Sequence, residues 1–196
     1  RVESRDERSP DWVQEKVSFD AAYGNERMAV YMFLPKGVPP PYQTVVYFPG
    51  SGAAETESSQ NLADRSGFQS QLSFLLRNRR AVVYPVYKGT YERRSKGSPV
   101  AYPFQDNSFQ AIEARIQQVK DFRRSVDYLE TRPDIDLKRL AYMGISWGGR
   151  MAPIILAVED RLRAAVVILG GLEAGSRPEI INSTYIRRVK IPVLML

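Results

Sequence analysis

Gly144-Ile145-Ser146-Trp147-Gly148-Gly149 is the stretch of this chain best equipped for chemistry. Its spacing fits a nucleophile elbow, G-x-S-x-G, with one further glycine. In such an elbow a strand turns so tightly into a helix that the central serine is held in a strained backbone conformation. Bulky side chains at the flanking glycine positions would clash with the neighbouring strand and helix. The serine oxygen stands clear at the helix N-terminus, where the dipole and free N–H groups favour developing negative charge. The chemistry this implies is attack on an ester or amide carbonyl, an acyl-enzyme, then hydrolysis. A glycine-rich turn with an idle serine is the plainer reading of the same letters.

Acyl transfer also needs two N–H donors aimed at the tetrahedral oxyanion. The Trp147 N–H, next to the nucleophile, is one. The loop Phe48-Pro49-Gly50-Ser51-Gly52 is expected to supply the other, from Ser51 or Gly52, with Gly50 and Gly52 bordering the substrate. Tyr87, Lys88 and Tyr91 end another apolar run and are expected substrate contacts, with ordinary loop packing as the competing role.

What the elbow lacks is a base. Among 196 residues there is no histidine and no cysteine. Disulfides, thiol catalysis and Cys-based metal sites are excluded, and the commonest general base and metal ligand is missing. Neither a cofactor nor a metal is expected. The composition, 43% hydrophobic and 26% charged, fits one globular domain rather than a disordered chain. The net charge of +6 raises nucleic-acid binding as a third, weaker function class. Lys and Arg are scattered among Asp and Glu, however, with small clusters at Arg77, Arg79, Arg80 and at Arg93, Arg94, Lys96. A solvated basic surface is the expectation, and no nucleic-acid partner. The longest apolar run, Ala164 to Leu169, is far short of a membrane span, and the polar N-terminus reads as no signal peptide. The compartment stays open.

The elements that must position these residues follow from the apolar pattern. Residues 1–12 read as a linker or frayed end. Val13–Phe19 and Met28–Leu34 look like strands around a Tyr23-Gly24-Asn25 turn. Thr44–Phe48, Ala81–Tyr87, Leu140–Gly144, Ala164–Leu169 and Ile191–Leu196 are short continuous apolar runs, as in strands buried on both faces. Pro85 should lie near its strand's end, because a central strand has no place for a missing N–H. Between the runs, helices are expected over Phe68–Arg77, from Phe109 to Leu129 with Asn107 as cap and Gln110 completing a capping box, and over Trp147–Val158. The long polar loop Lys88–Asp106 separates the second run from its helix. Strict alternation of strand and helix means an α/β fold: a three-layer sandwich with a mainly parallel twisted sheet, active groups clustering at the strands' carboxyl ends.

Tyr128 to Asp136 and Leu140 to Gly149 together resemble α/β-hydrolases of the prolyl oligopeptidase and dienelactone hydrolase type. Val17 to Gly24, Tyr47 to Gly52 and Tyr84 to Tyr91 look more narrowly like a hydrolase-like domain at the C-terminus of some bacterial serine/threonine protein kinases. The general resemblance covers nearly all of the chain after residue 12, and no kinase motif is present. It implies a triad in the order Ser, acid, His, with acid and histidine beyond Leu196. Residues 13–196 are therefore expected to be an incomplete α/β-hydrolase domain, lacking its last strand and helix. The chain begins with Arg1, consistent with a piece of something longer that carries other domains. Within these residues, Glu173 as an acid and Lys88 as a base are weak substitutes.

Three functions follow as expectations. The first is a serine acyl hydrolase of ester-like small molecules, inactive as these 196 residues alone. The others are a noncatalytic module attached to a bacterial signalling protein such as a serine/threonine kinase, and a serine peptidase of the prolyl oligopeptidase type.

Overall fold

A computed structural model describes residues 1–94, 108–172 and 181–196. Eight strands form one mixed sheet: β1 (Val2–Asp6), β2 (Trp12–Asp20), β3 (Arg27–Pro35), β4 (Tyr42–Phe48), β5 (Ala81–Pro85), β6 (Ile135–Ile145), β7 (Ala164–Ile168) and β8 (Val193–Met195). Their order across the sheet is β1-β2-β3-β5-β4-β6-β7-β8. The first three strands pair antiparallel, and β3 meets β5 antiparallel. From β5 through β4, β6, β7 to β8 every pairing is parallel. Parallel neighbours need crossovers, and the helices are those crossovers.

Long helices α4 (Phe109–Glu130) and α5 (Trp147–Val158) cover one face. Short helices α1 (Gly52–Glu55), α2 (Ser66–Gln71) and α3 (Ser73–Arg77) lie on the other, and α6 (Asn182–Tyr185) packs on α5. Alternation along β4 shows the two layers. Val46 and Phe48 join the core under α4 and α5, with Phe122, Val126, Met151 and Ile155. Val45 and Tyr47 join the core with Phe68, Leu72, Leu75 and Leu76. The architecture is thus an α/β sandwich on a mixed, mainly parallel sheet, as the apolar runs implied.

Three local readings change. Residues 2–6 are no frayed end: β1 lies along β2, with reciprocal backbone bonds between Arg1 and Ser18 and an Arg5–Glu15 ion pair at 2.5 Å. The expected helix over 68–77 is two, broken at Leu72, whose φ of −125° leaves the helical region. Helix α4 is capped by Ser108, whose side chain accepts from the Ala111 N–H; Asn107 and most of the Lys88–Asp106 loop lie outside the described residues. Pro85 does end β5.

Candidate active site

Ser146 occupies the junction of β6 and α5 with φ 51° and ψ −104°, a region an L side chain rarely adopts. Such strain persists only where the surroundings over-determine it. Its N–H donates to the Ile168 carbonyl at 2.8 Å, and its carbonyl accepts from the Arg150 N–H at 2.9 Å. Two glycines make the turn possible. A Cβ on Gly144 would stand 2.6 Å from the Gly148 carbonyl and from the Tyr142 hydroxyl; one on Gly148 would meet the Phe48 carbonyl oxygen at 2.2 Å. No side chain fits either place.

The two halves of the site are stitched together because β4 and β6 are neighbours, with Phe48 paired to Gly144. The Gly148 N–H donates to the Pro49 carbonyl at 3.1 Å. Beyond it, Gly50 lies against the nucleophile: a Cβ there would sit 3.6 Å from the Ser146 Cβ. Ser51, exposed, holds the N-cap position of α1 without a side-chain capping bond. Trp147 is the first residue of α5, so its N–H has no carbonyl one turn earlier in the helix. Its ring meets Phe48 edge-on, centroids 5.7 Å apart. Ser146 remains partly exposed, and its hydroxyl caps nothing in α5.

A cavity of about 580 Å³ adjoins the elbow. Gly50 and Ile145, which flank Ser146, border it, although Ser146 is not part of its wall. Gly52 and Tyr91 line it. Phe68, Leu62 and Leu72 give it apolar surface. Its hydroxyls are already oriented: Tyr47 donates to Gln71 Oε1 at 2.8 Å, and the Tyr84 and Tyr91 hydroxyls bond at 2.7 Å. Burial pushes all three phenols above their ordinary pKa, so they stay neutral. Among the described residues of the wall the charged one is Arg65, stacked over the Tyr91 ring at 5.6 Å. Beyond Gly50, Gly52 and Tyr91, its wall comes from scattered segments around α1 and α2 that carry no motif.

Tyr87 is a correction. It is fully buried, stacks on Phe48 with centroids 4.0 Å apart, and donates to the Tyr47 carbonyl at 3.0 Å. It is core, not a substrate contact. Lys88 is also engaged elsewhere. Its ammonium holds Glu26 at 2.5 Å, and its N–H donates to Asp121 at 2.7 Å. Asp121, fully buried, also accepts from Tyr23 at 2.8 Å and Arg93 at 2.6 Å. This network ties the β2–β3 turn, the segment after β5 and α4 together. Arg93 is therefore no part of a basic surface, while Lys96 and Glu173 lie outside the described residues.

Two buried polar residues escaped the sequence reading. The Tyr142 hydroxyl donates to the Gly148 carbonyl at 2.6 Å. Asn182 bridges the Arg150 carbonyl at 3.1 Å and the Gly171 carbonyl at 2.7 Å, joining α5 to the loop after β7. Among the described residues no cluster of acidic side chains is arranged to hold a metal, and no helix is long and apolar enough to cross a membrane.

A model of the dienelactone hydrolase family matches residues 80–196. The fold is similar to that of acetyl xylan esterase 1 from Thermoanaerobacterium sp. JW/SL YS485, with TM-score 0.70 and 14% identity, covering 100% of this chain and 71% of that one. A cold-adapted esterase from an Arctic intertidal metagenomic library gives TM-score 0.68 at 14% identity, covering 100% and 76%. A glucuronoyl esterase from Solibacter usitatus gives 0.63 at 17%, covering 89% and only 52% of its own length. At such identities the likeness is one of fold. No curated relative matches the chain.

Proposed function

The chain belongs to the dienelactone hydrolase family, and on that footing we propose that it is a serine hydrolase of carboxylic esters with Ser146 as nucleophile. The observation that carries the reading is the Ser146 backbone: a non-glycine residue at positive φ, opening a helix, with Gly50 against its Cβ. Strain of that kind serves a nucleophile and gives an idle serine nothing.

In the proposed reaction Ser146 Oγ bonds to the ester carbon while the carbonyl π pair moves onto oxygen. The Trp147 and Ser51 N–H groups receive that oxyanion. The Oγ proton passes to a base, which returns it to the departing alcohol as the C–O bond breaks. Water then repeats the sequence on the acyl-enzyme and frees the acid. We place the base, a histidine, and the acid that orients it in sequence following Leu196, in a longer chain that carries other domains. Lys88 is not the base, because Glu26 and Asp121 hold it away in their own network. The cavity beside Gly50 takes the bulkier part of the ester, a small molecule, which favours an esterase over a peptidase.

A fluorophosphonate probe on the natural chain containing these residues tests the reading. Expected is one label, on Ser146, lost in Ser146→Ala together with p-nitrophenyl ester hydrolysis. Absence of labelling and hydrolysis in the unaltered protein would make the domain a noncatalytic module.

A further inference from the structure

We propose that the Tyr142 hydroxyl is a positioning group for catalysis, holding the first turn of α5 so that the Trp147 N–H stays aimed at the oxyanion. The inference rests on Ser146 being the nucleophile. Tyr142 itself is fully buried and touches no substrate.

A helix's first N–H groups have no preceding turn to fix them, so their direction depends on what anchors that turn from outside. Around Ser146 the described anchors are few. The Ser146 N–H is held by Ile168, and the Gly148 N–H by Pro49. The Gly148 carbonyl is held by Tyr142 at 2.6 Å. The first two are backbone to backbone. The third is a side chain, chosen by sequence and removable without altering the main chain.

Its placement is specific. Residues two apart in a strand share a face, so Tyr142 projects on the same side as Gly144. Its hydroxyl stands 2.6 Å from where a Gly144 Cβ would be. The missing side chain at Gly144 thus makes room for the oxygen that supports Gly148, and both glycines of the elbow pack around it. Burial pushes the Tyr142 phenol well above its ordinary pKa, so it remains a donor throughout any working pH range. Phe122 packs beside the ring, tilted, with centroids 5.5 Å apart.

The test begins with the unaltered natural chain, whose Ser146 labelling and hydrolysis decide the previous proposal by themselves. Given activity, Tyr142→Phe removes one oxygen and keeps the ring. Expected is a fall in kcat of about tenfold, a share of what losing an oxyanion donor outright costs. KM should hold, the loss should be equal at every pH of the profile, and a boronic acid mimic of the tetrahedral state should bind more weakly in proportion. Phe122→Leu is the companion: it loosens the packing around Tyr142 but keeps the hydroxyl. It should lower the unfolding midpoint and leave kcat unchanged at temperatures where the protein is folded. Full kcat in Tyr142→Phe would overturn the proposal. So would an equal loss of kcat in folded Phe122→Leu, which would make Tyr142 ordinary packing.

Discussion

The Phe48 carbonyl oxygen lies 2.2 Å from where a Cβ on Gly148 would have to stand. The backbone of β4 and the first turn of α5 therefore touch without an intervening side chain, and the elbow closes on the strand beside it. Gly148→Ala must push the two apart. Overpacking of this kind costs about 1–3 kcal/mol or more, read as a lower midpoint in denaturant. Ser146 labelling should be lost with it. Gly50→Ala is the contrast, because its methyl meets Ser146 Cβ at an ordinary 3.6 Å. It should fold normally yet crowd the nucleophile, lowering kcat/KM about tenfold.

Filling the cavity should separate large esters from small ones. Gly67 lines it, in α2, and nothing lies within 4 Å of where its Cβ would be. Gly67→Leu should raise KM for bulky esters about tenfold, the scale of a few lost apolar contacts, and leave acetate esters nearly unchanged. Steady-state kinetics with a series of p-nitrophenyl esters reads the ratio. An equal rise for acetate and bulky esters would remove the cavity from the substrate's path.

Asp121 should matter to stability far more than Lys88. It accepts three hydrogen bonds in the interior and faces the nearly buried Arg93 guanidinium. Asp121→Ala strands that cation, at a cost of about 3–5 kcal/mol by equilibrium unfolding. Lys88→Met removes a more exposed ion pair with Glu26 and should cost about 1 kcal/mol or less.

Acid should unfold the protein partly through Asp134. Arg132 grips this carboxylate with bonds of 2.8 and 2.7 Å and holds it below its ordinary pKa of 3.8. A depressed carboxylate stabilises the fold above its unfolded value, and that contribution fades as pH falls through the folded one. Asp134→Asn should thus melt below the unaltered protein near neutrality. The gap should close as pH drops below 3.8. A gap of constant size down the acid limb would assign the pair no role in acid stability.

The parts of the fold most legible in the sequence were those with unmixed signals. Strands β4, β5 and β7 and the second half of β6 from Leu140 read as continuous apolar runs, whereas the first half of β6 carries Asp136, Lys138 and Arg139 and left no such signal. The elbow was legible because three glycines and a serine sit where such a run becomes helical. By contrast β1, Val-Glu-Ser-Arg-Asp, has no apolar face at all. Main-chain pairing and ion pairs such as Arg5–Glu15 hold it, and neither leaves a period to find. Tyr87 misled because an aromatic residue at a strand's end can turn outward or inward with the same letters, and here Phe48 and the Tyr47 carbonyl draw it in. Tyr142 went unnoticed because a tyrosine in an apolar run looks like bulk, and only its bond to Gly148 shows the use of its oxygen.

The pairing of Phe48 with Gly144 has a consequence for how the site comes into being. These partners lie roughly a hundred residues apart in the chain, so the loop that joins them must close before either half of the site has its neighbour. No local fragment, and no early hairpin, can hold the serine in its strained shape. The site is born with the middle of the sheet and must dissolve with it. In a denaturant titration, loss of Ser146 reactivity should track the global transition and not the earlier fraying of β1 at the margin.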